Sequence, residues 1–173
     1  LRHADEVASL ILMSTYTRRP DRSSYAIDAM LNSVKEGASI QNFMQMMNTW
    51  CLTQSYYAGK KLVPRPRENV NEGKILQGFI RQKAALDAFD SARRLHKIKC
   101  PTLVIHGEED IMVPPYMGEA IARGISDSEM VYIPGAGHII PPESCYAHII
   151  SFLERHSIKL PQAVDVKMAS MAK

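Results

Sequence analysis

Apolar residues follow two different rhythms along this chain. Residues 7–13 (VASLILM) form a short apolar run ending in Ser14 and Thr15, the pattern of a buried parallel strand rather than of a helix. Two more such runs come late: residues 102–106 (TLVIH), closed by Gly107, and residues 129–133 (EMVYI), closed by Pro134, Gly135, Ala136 and Gly137. Between them, residues 114–124 place Met117, Ala120 and Ile121 on one helical face, with proline near the first turn. A last helix is predicted over 142–156, opened by Pro142 and by Glu143, an acid being favourable at a helix N-terminus.

Residues 20–90 change to helical spacing. Tyr25, Ile27, Met30, Leu31 and Val34 make one stripe, Ile40, Phe43, Met44, Met47, Trp50 and Cys51 a second, and Ile75, Leu76, Phe79, Ile80, Ala84, Leu86 and Phe89 a third. The stretch 59–71, with Pro64 and Pro66 among alternating charges, reads as loop. Three to five short helices are therefore expected as an insertion (20–90) over one end of a sheet. The core would be supplied by 1–19 and 91–157, residues 1–4 would end a preceding helix, and 158–173 would be a loosely held tail.

The strand, helix, strand order over 102–133 implies a right-handed crossover and parallel neighbours. Asp110 and His138 each lie a few residues past a strand. They should emerge from the same carboxyl edge, where α/β sheets gather ligands and catalytic groups.

Composition narrows the classes. With 46% hydrophobic and 23% charged residues among 173, the chain has material for one packed core. A net charge of +3, from basic residues scattered among acids, makes no continuous phosphate-binding stripe, so nucleic acid is not an expected partner. No apolar run approaches the roughly 20 residues of a membrane-spanning helix, and residues 1–6 (LRHADE) lack an apolar signal core, so no membrane association is expected. Cys51, Cys100 and Cys145 are odd in number, widely spaced and without CxxC or interleaved histidine. That argues against a disulfide framework or a zinc site and for free thiols in a cytoplasmic protein.

A carboxylate within hydrogen-bond reach of an imidazole fixes the ring's tautomer and stabilises the imidazolium, as the acid and base of a nucleophile–His–acid triad do. Asp110 alone could be a turn or capping residue; the His138 turn in register with it favours the catalytic reading. His106, inside a strand, reads as a satisfied core residue, and His96, His148 and His156 as structural or exposed. Cys100 sits at the wrong end of its strand for a nucleophile, and Cys51 and Cys145 have no nearby histidine pattern.

Residues 101–114 (PTLVIHGEEDIMVP) and 135–143 (GAGHIIPPE) are similar to the acid-bearing and histidine-bearing segments that follow the seventh and eighth strands in the α/β-hydrolase family. Residues 4–15 (ADEVASLILMST) resemble that family's sixth strand, and 20–90 stand where it carries a lid. The ending of that section, GFIRQKAALDAFDSARRLHKIKCPTLVIHG, is similar to lidded carboxylic-ester and enol-lactone hydrolases. The resemblance covers roughly residues 1–156 and implies an α/β fold: three parallel strands with flanking helices and a helical lid, the C-terminal part of the hydrolase architecture. It implies Asp110 as the acid and His138 as the base, with Met112 and Ile139 flanking the site. Met44, Met46, Met47 and Trp50 form an apolar lid group that is either packing or an acyl-binding wall, and Trp50 is the member expected to meet substrate.

The family's nucleophile elbow, G-x-S-x-G between a strand and a helix, has no match here. Gly37-Ala38-Ser39-Ile40-Gln41 and Gly124-Ile125-Ser126-Asp127-Ser128 lack the second glycine and follow no strand. By family order the nucleophile and the oxyanion-hole donors would precede Leu1. The expectation is thus the C-terminal part of a serine-type hydrolase of a small or medium carboxylic ester, lactone or related acyl bond. It would be inactive alone, would need no metal or organic cofactor, and would be completed by an N-terminal segment that also pairs the open edge of strand 7–13. The alternatives are a non-catalytic binding module of the same fold, or a dehalogenase, epoxide hydrolase or C–C hydrolase with the same acid and base.

Overall fold

The structure, a computed structural model, describes residues 3–59 and 71–156. Three parallel strands, β1 (Leu10–Met13), β2 (Thr102–Gly107) and β3 (Ser128–Ile133), lie in the order β1-β2-β3. The central strand is buried along its whole length, and the two-residue alternation of side chains divides it between two layers. Leu103 and Ile105 pack with Ile133, Cys145 and Phe152 beneath α6 (Pro142–Arg155). Val104 faces the other way, onto Leu95, Ile121 and Ile125 of the 3₁₀ turn Ala92–Lys97 and of α5 (Pro115–Gly124) and its end. Each fully buried aliphatic side chain contributes about 1.5–3 kcal/mol, so this three-layer sandwich is what fixes the two strand ends in space.

β1 is shorter than the apolar run that announces it. Pairing runs only from Leu10↔Thr102 to Met13↔Ile105, because β2 itself starts at Thr102, after Pro101. The Leu10 amide takes the Pro101 carbonyl at 2.9 Å, and residues before it have no strand to meet. Of residues 1–4, expected to end a preceding helix, 1–2 lie outside the described residues, and Ala4 opens a 3₁₀ turn, Ala4–Glu6. Among the described residues the far edge of β1 is unpaired, and Val7 and Met13 are 42% and 38% exposed. An open apolar edge of this kind is a template for another strand.

Among the described residues the helical section 20–90 contains four helices: α1 (Asp21–Lys35), α2 (Ile40–Cys51), α3 (Gln54–Tyr57) and α4 (Glu72–Asp87). Met30, Leu31, Ile40 and Phe43 form its centre, with Phe79 of α4 edge-on to Phe43 at 4.8 Å between ring centroids. Ser39 caps α2 by accepting the Asn42 amide, and Asn71 caps α4 by accepting that of Lys74, each satisfying an otherwise orphaned donor. Both ends of the section leave the core at one place. Arg18 bridges to Asp90 and the Ser91 amide donates to the Thr17 carbonyl. Buried Arg19 pairs with Asp87, and Lys83 reaches Asp28 at 2.8 Å and Asp87 at 2.5 Å. The predicted tail 158–173 and loop residues 60–70 lie outside the described residues. Among the described residues no helix is long and apolar enough to cross a membrane.

Candidate active site

The turn after β2 is built around one carboxylate. Asp110 Oδ1 accepts the amides of Met112 at 2.9 Å and Val113 at 2.8 Å, the short-range pattern that makes aspartate a turn former. Its other oxygen is left for the neighbouring strand's loop. There the sharp turn at Gly135, with φ +68, brings the chain round, and His138 Nδ1 lies 2.9 Å from Asp110 Oδ2. A carboxylate only accepts, so Nδ1 carries the ring proton and Nε2 presents a lone pair. The His138 side chain is 26% exposed, while Asp110 is buried. The turns are tied to each other by Glu108 N–H to the Ile133 carbonyl at 3.1 Å and Glu109 N–H to that of Ala136 at 2.9 Å.

His106 differs from the sequence-based expectation. It is fully buried, as a core residue should be, but it is not satisfied: Nδ1 has no partner among the described residues. Nε2 lies 2.7 Å from the Val113 carbonyl and therefore carries the proton, and it is 3.4 Å from Asp110 Oδ2. Asp110 thus has imidazole N–H groups on two sides. Burial raises its carboxyl, but the hydrogen bonds from His106 and His138 and the Val113 amide outweigh it, holding the group below the usual carboxylate range. The space for the His106 ring comes from Gly118 in α5, where a Cβ would stand 2.6 Å from Nδ1.

The helical section meets this site through backbone. At the end of α2 the Cys51 carbonyl accepts the Ile139 amide at 3.1 Å, and a Cβ on Gly137 would stand 2.7 Å from that same carbonyl oxygen. Met112 is buried, its sulfur 3.8 Å from Cys51 Sγ. Trp50 packs partly buried beside them, with the Arg22 guanidinium 5.0 Å from the centre of its ring. Ile139 is 52% exposed. Met44, Met46 and Met47 pack partly buried against the α1/α2 core. Of the residues expected to meet substrate, Met112 lines a cavity of about 480 Å³; Trp50 and Ile139 do not. Cys51, which has no histidine pattern in sequence, is brought against Met112 and within the electrostatic reach of Asp110. Burial and then the Asp110 charge push its thiol up to about 11. A thiol raised from 9.0 to about 11 has a thiolate fraction roughly 100-fold smaller near neutral pH. Timed iodoacetamide labelling followed by peptide mapping should therefore find Cys51 alkylated more slowly, by about 10-fold or more, in the folded protein than after denaturation, the greater nucleophilicity of a high-pKa thiolate offsetting part of its scarcity. Among the described residues no group of three or more His, Cys, Asp or Glu could hold a metal ion.

A parallel sheet with helices on both faces, a helical cover and an acid and histidine paired across adjacent strand ends is the layout of a hydrolase-type α/β protein. Residues 1–144 match the family model described as alpha/beta hydrolase fold, and the chain belongs to that family. It is 30% identical over 145 residues to a 2-hydroxy-6-oxononadienedioate/2-hydroxy-6-oxononatrienedioate hydrolase of Cupriavidus pinatubonensis, covering 80% of this chain and 50% of that protein. It is 27% identical over 155 residues to a pimeloyl-[acyl-carrier protein] methyl ester esterase of Neisseria meningitidis, covering 79% and 55%. The solved enol-lactonase of Burkholderia xenovorans superposes with a TM-score of 0.63 at 23% identity, covering 88% of this chain and 58% of that one. The chain spans about half the length of the curated relatives it matches.

Proposed function

We propose that these residues supply the acid, the base and the lid of a serine-type α/β hydrolase acting on a small or medium carboxylic ester or lactone. The nucleophile and the oxyanion-hole donors come from a complementary N-terminal segment, whose strand pairs with the open edge of β1. The observation that carries this reading is the 2.9 Å contact between His138 Nδ1 and buried Asp110, which leaves the Nε2 lone pair at the carboxyl edge of the sheet. Nε2 takes the proton of the attacking hydroxyl, and the resulting imidazolium is stabilised by Asp110. It then protonates the leaving oxygen, and the same nitrogen removes a proton from the water that releases the acyl group. Trp50, Met112 and Ile139 are assigned to the substrate side of this pair. The relatives named as methyl ester esterase and enol-lactonase support an ester or lactone substrate, and the three free cysteines suit a reducing, cytoplasmic setting.

The test is reconstitution. Residues 1–173 alone should not turn over p-nitrophenyl butyrate, and the same chain joined to its N-terminal complement should. Monomeric, cooperatively melting and active residues 1–173 would overturn the proposal. An inactive complete protein whose elbow position holds no serine, cysteine or aspartate would point instead to a binding module.

A further inference from the structure

Three arginines lie within five residues of the chain, at the start of the helical section. Arg18, Arg19 and Arg22 line the cavity of about 480 Å³ together with the apolar side chains of Ile111, Met112 and Met117. That volume is within the usual range of small-molecule sites, which combine an apolar wall with a few convergent polar groups. The three charges are not equivalent. Arg19 is buried and neutralised by Asp87, so it braces the wall. Arg18 and Arg22 are exposed and have no carboxylate partner among the described residues; Arg22 is held only by its stacking over Trp50 at 5.0 Å. Asp21 also lines the space, which leaves the two free guanidiniums one positive charge in excess.

Two further features have the same sign. The cavity receives the N-terminal ends of α1 and α5, 15 and 10 residues long, and neither has a side-chain cap. Helix N-termini carry partial positive charge and unsatisfied amides. The location ties the cavity to the candidate chemistry through one residue. Met112, which lines it, donates its amide to Asp110 and touches Cys51 at the end of α2.

We infer that this cavity is a subsite for a carboxylate on the substrate, held by Arg18 and Arg22 at the end of the acyl chain remote from the bond that breaks. The single excess charge suits a monoanion, and the apolar wall suits a short methylene chain between that carboxylate and the reacting carbonyl. The inference rests on the hydrolase reading above and deepens it to esters of dicarboxylic acids.

The test compares the p-nitrophenyl monoester of glutaric acid with p-nitrophenyl valerate, a neutral ester of equal acyl length, in the complete enzyme. The expected result is a preference for the anionic ester of roughly 10-fold or more in kcat/KM, since charge-assisted hydrogen bonds are the strong ones. Arg18→Met and Arg22→Met should each raise KM for the anionic ester about 10-fold with kcat little changed, the signature of lost uniform binding. The valerate ester should be indifferent to Arg18→Met. Arg18→Met decides alone if Arg22→Met, which also loses its Trp50 contact, fails to fold. Equal kcat/KM for the two esters, or a preference that survives Arg18→Met, overturns the subsite and leaves the hydrolase intact. No turnover of either ester by the complete wild type overturns the reading beneath it and the subsite with it.

Discussion

Asp110→Asn is expected to lower kcat of the complete protein by roughly 10⁴-fold, the scale of loss when a triad acid is exchanged for its amide. The reason lies in which group can donate. The carboxamide oxygen of the variant can still accept the Met112 and Val113 amides that Asp110 accepts at 2.9 and 2.8 Å, so the turn keeps its shape. The carboxamide nitrogen then faces His138 Nδ1, in place of the oxygen now 2.9 Å away, and two donors cannot share that contact. The ring turns to the tautomer with its proton on Nε2 and can no longer take one from a nucleophile. Steady-state kinetics on the variant, with a melt to verify folding, checks this; a loss below about 10-fold would remove Asp110 from the acid role.

Stability carries a second signature of the same residue. The Asp110 carboxyl is held below its ordinary value, so its contribution is present above the unfolded value of roughly 3.9 and is lost as pH falls through the folded one. The wild type should therefore melt higher than Asp110→Asn near pH 7. The gap should narrow as pH drops below about 4. A pH-independent gap would mean the carboxylate is not what the two imidazoles and the amides stabilise.

Gly107→Ala is expected to be the most destabilising small change near the site. Gly107 ends β2, and a Cβ there would overlap the carbonyl oxygens of both Ala136 and Gly137. Those are backbone atoms of the loop that carries His138, and they cannot rotate away. Overpacking against fixed backbone costs about 3 kcal/mol, which in a chain of this size lowers Tm by roughly 6–12 °C. Because the displaced loop is the one that brings His138 to Asp110, activity should fall with stability even at temperatures where the variant is folded. Differential scanning calorimetry, with kinetics well below the melt, separates the two effects. An unchanged Tm would mean that the His138 loop does not lie against the end of β2.

The positions of Asp110 and His138 were legible because short-range chemistry places them. Each follows an apolar β-branched run by a few residues, and parallel pairing does the rest. What lay beyond the sequence depends on contacts between distant residues. Nothing local to Cys51 says that its carbonyl meets the distant Ile139 amide, 3.1 Å away, or that Gly137 must be small to let it approach. His106 was readable as buried from the strand pattern, but its approach to Asp110 was not. One sequence clue existed, Gly118 in the first half of α5, since a helix tolerates glycine there at a cost of about 1 kcal/mol. Here the missing Cβ makes room for the His106 ring. That Arg18, Arg19 and Arg22, close together in sequence, share a cavity with Ile111, Met112 and Met117 depends on contacts between distant residues.

A serine among the described residues does reach the carboxyl edge of the sheet. Ser14 follows β1, has φ +44, an uncommon value for a residue other than glycine, and donates its amide to the Ile105 carbonyl at 3.0 Å. It has no glycine two residues to either side and no hydrogen bond to His138 among the described residues, and α1 starts only at Asp21. It is therefore the natural internal control for the central claim, that Asp110 and His138 activate a nucleophile lying outside these 173 residues. Treating the complete enzyme with a fluorophosphonate and mapping the adduct by peptide mass spectrometry decides the matter. A single adduct on a serine outside residues 1–173, abolished by His138→Ala, is the expected result; an adduct on Ser14 or on any other serine within them would contradict it.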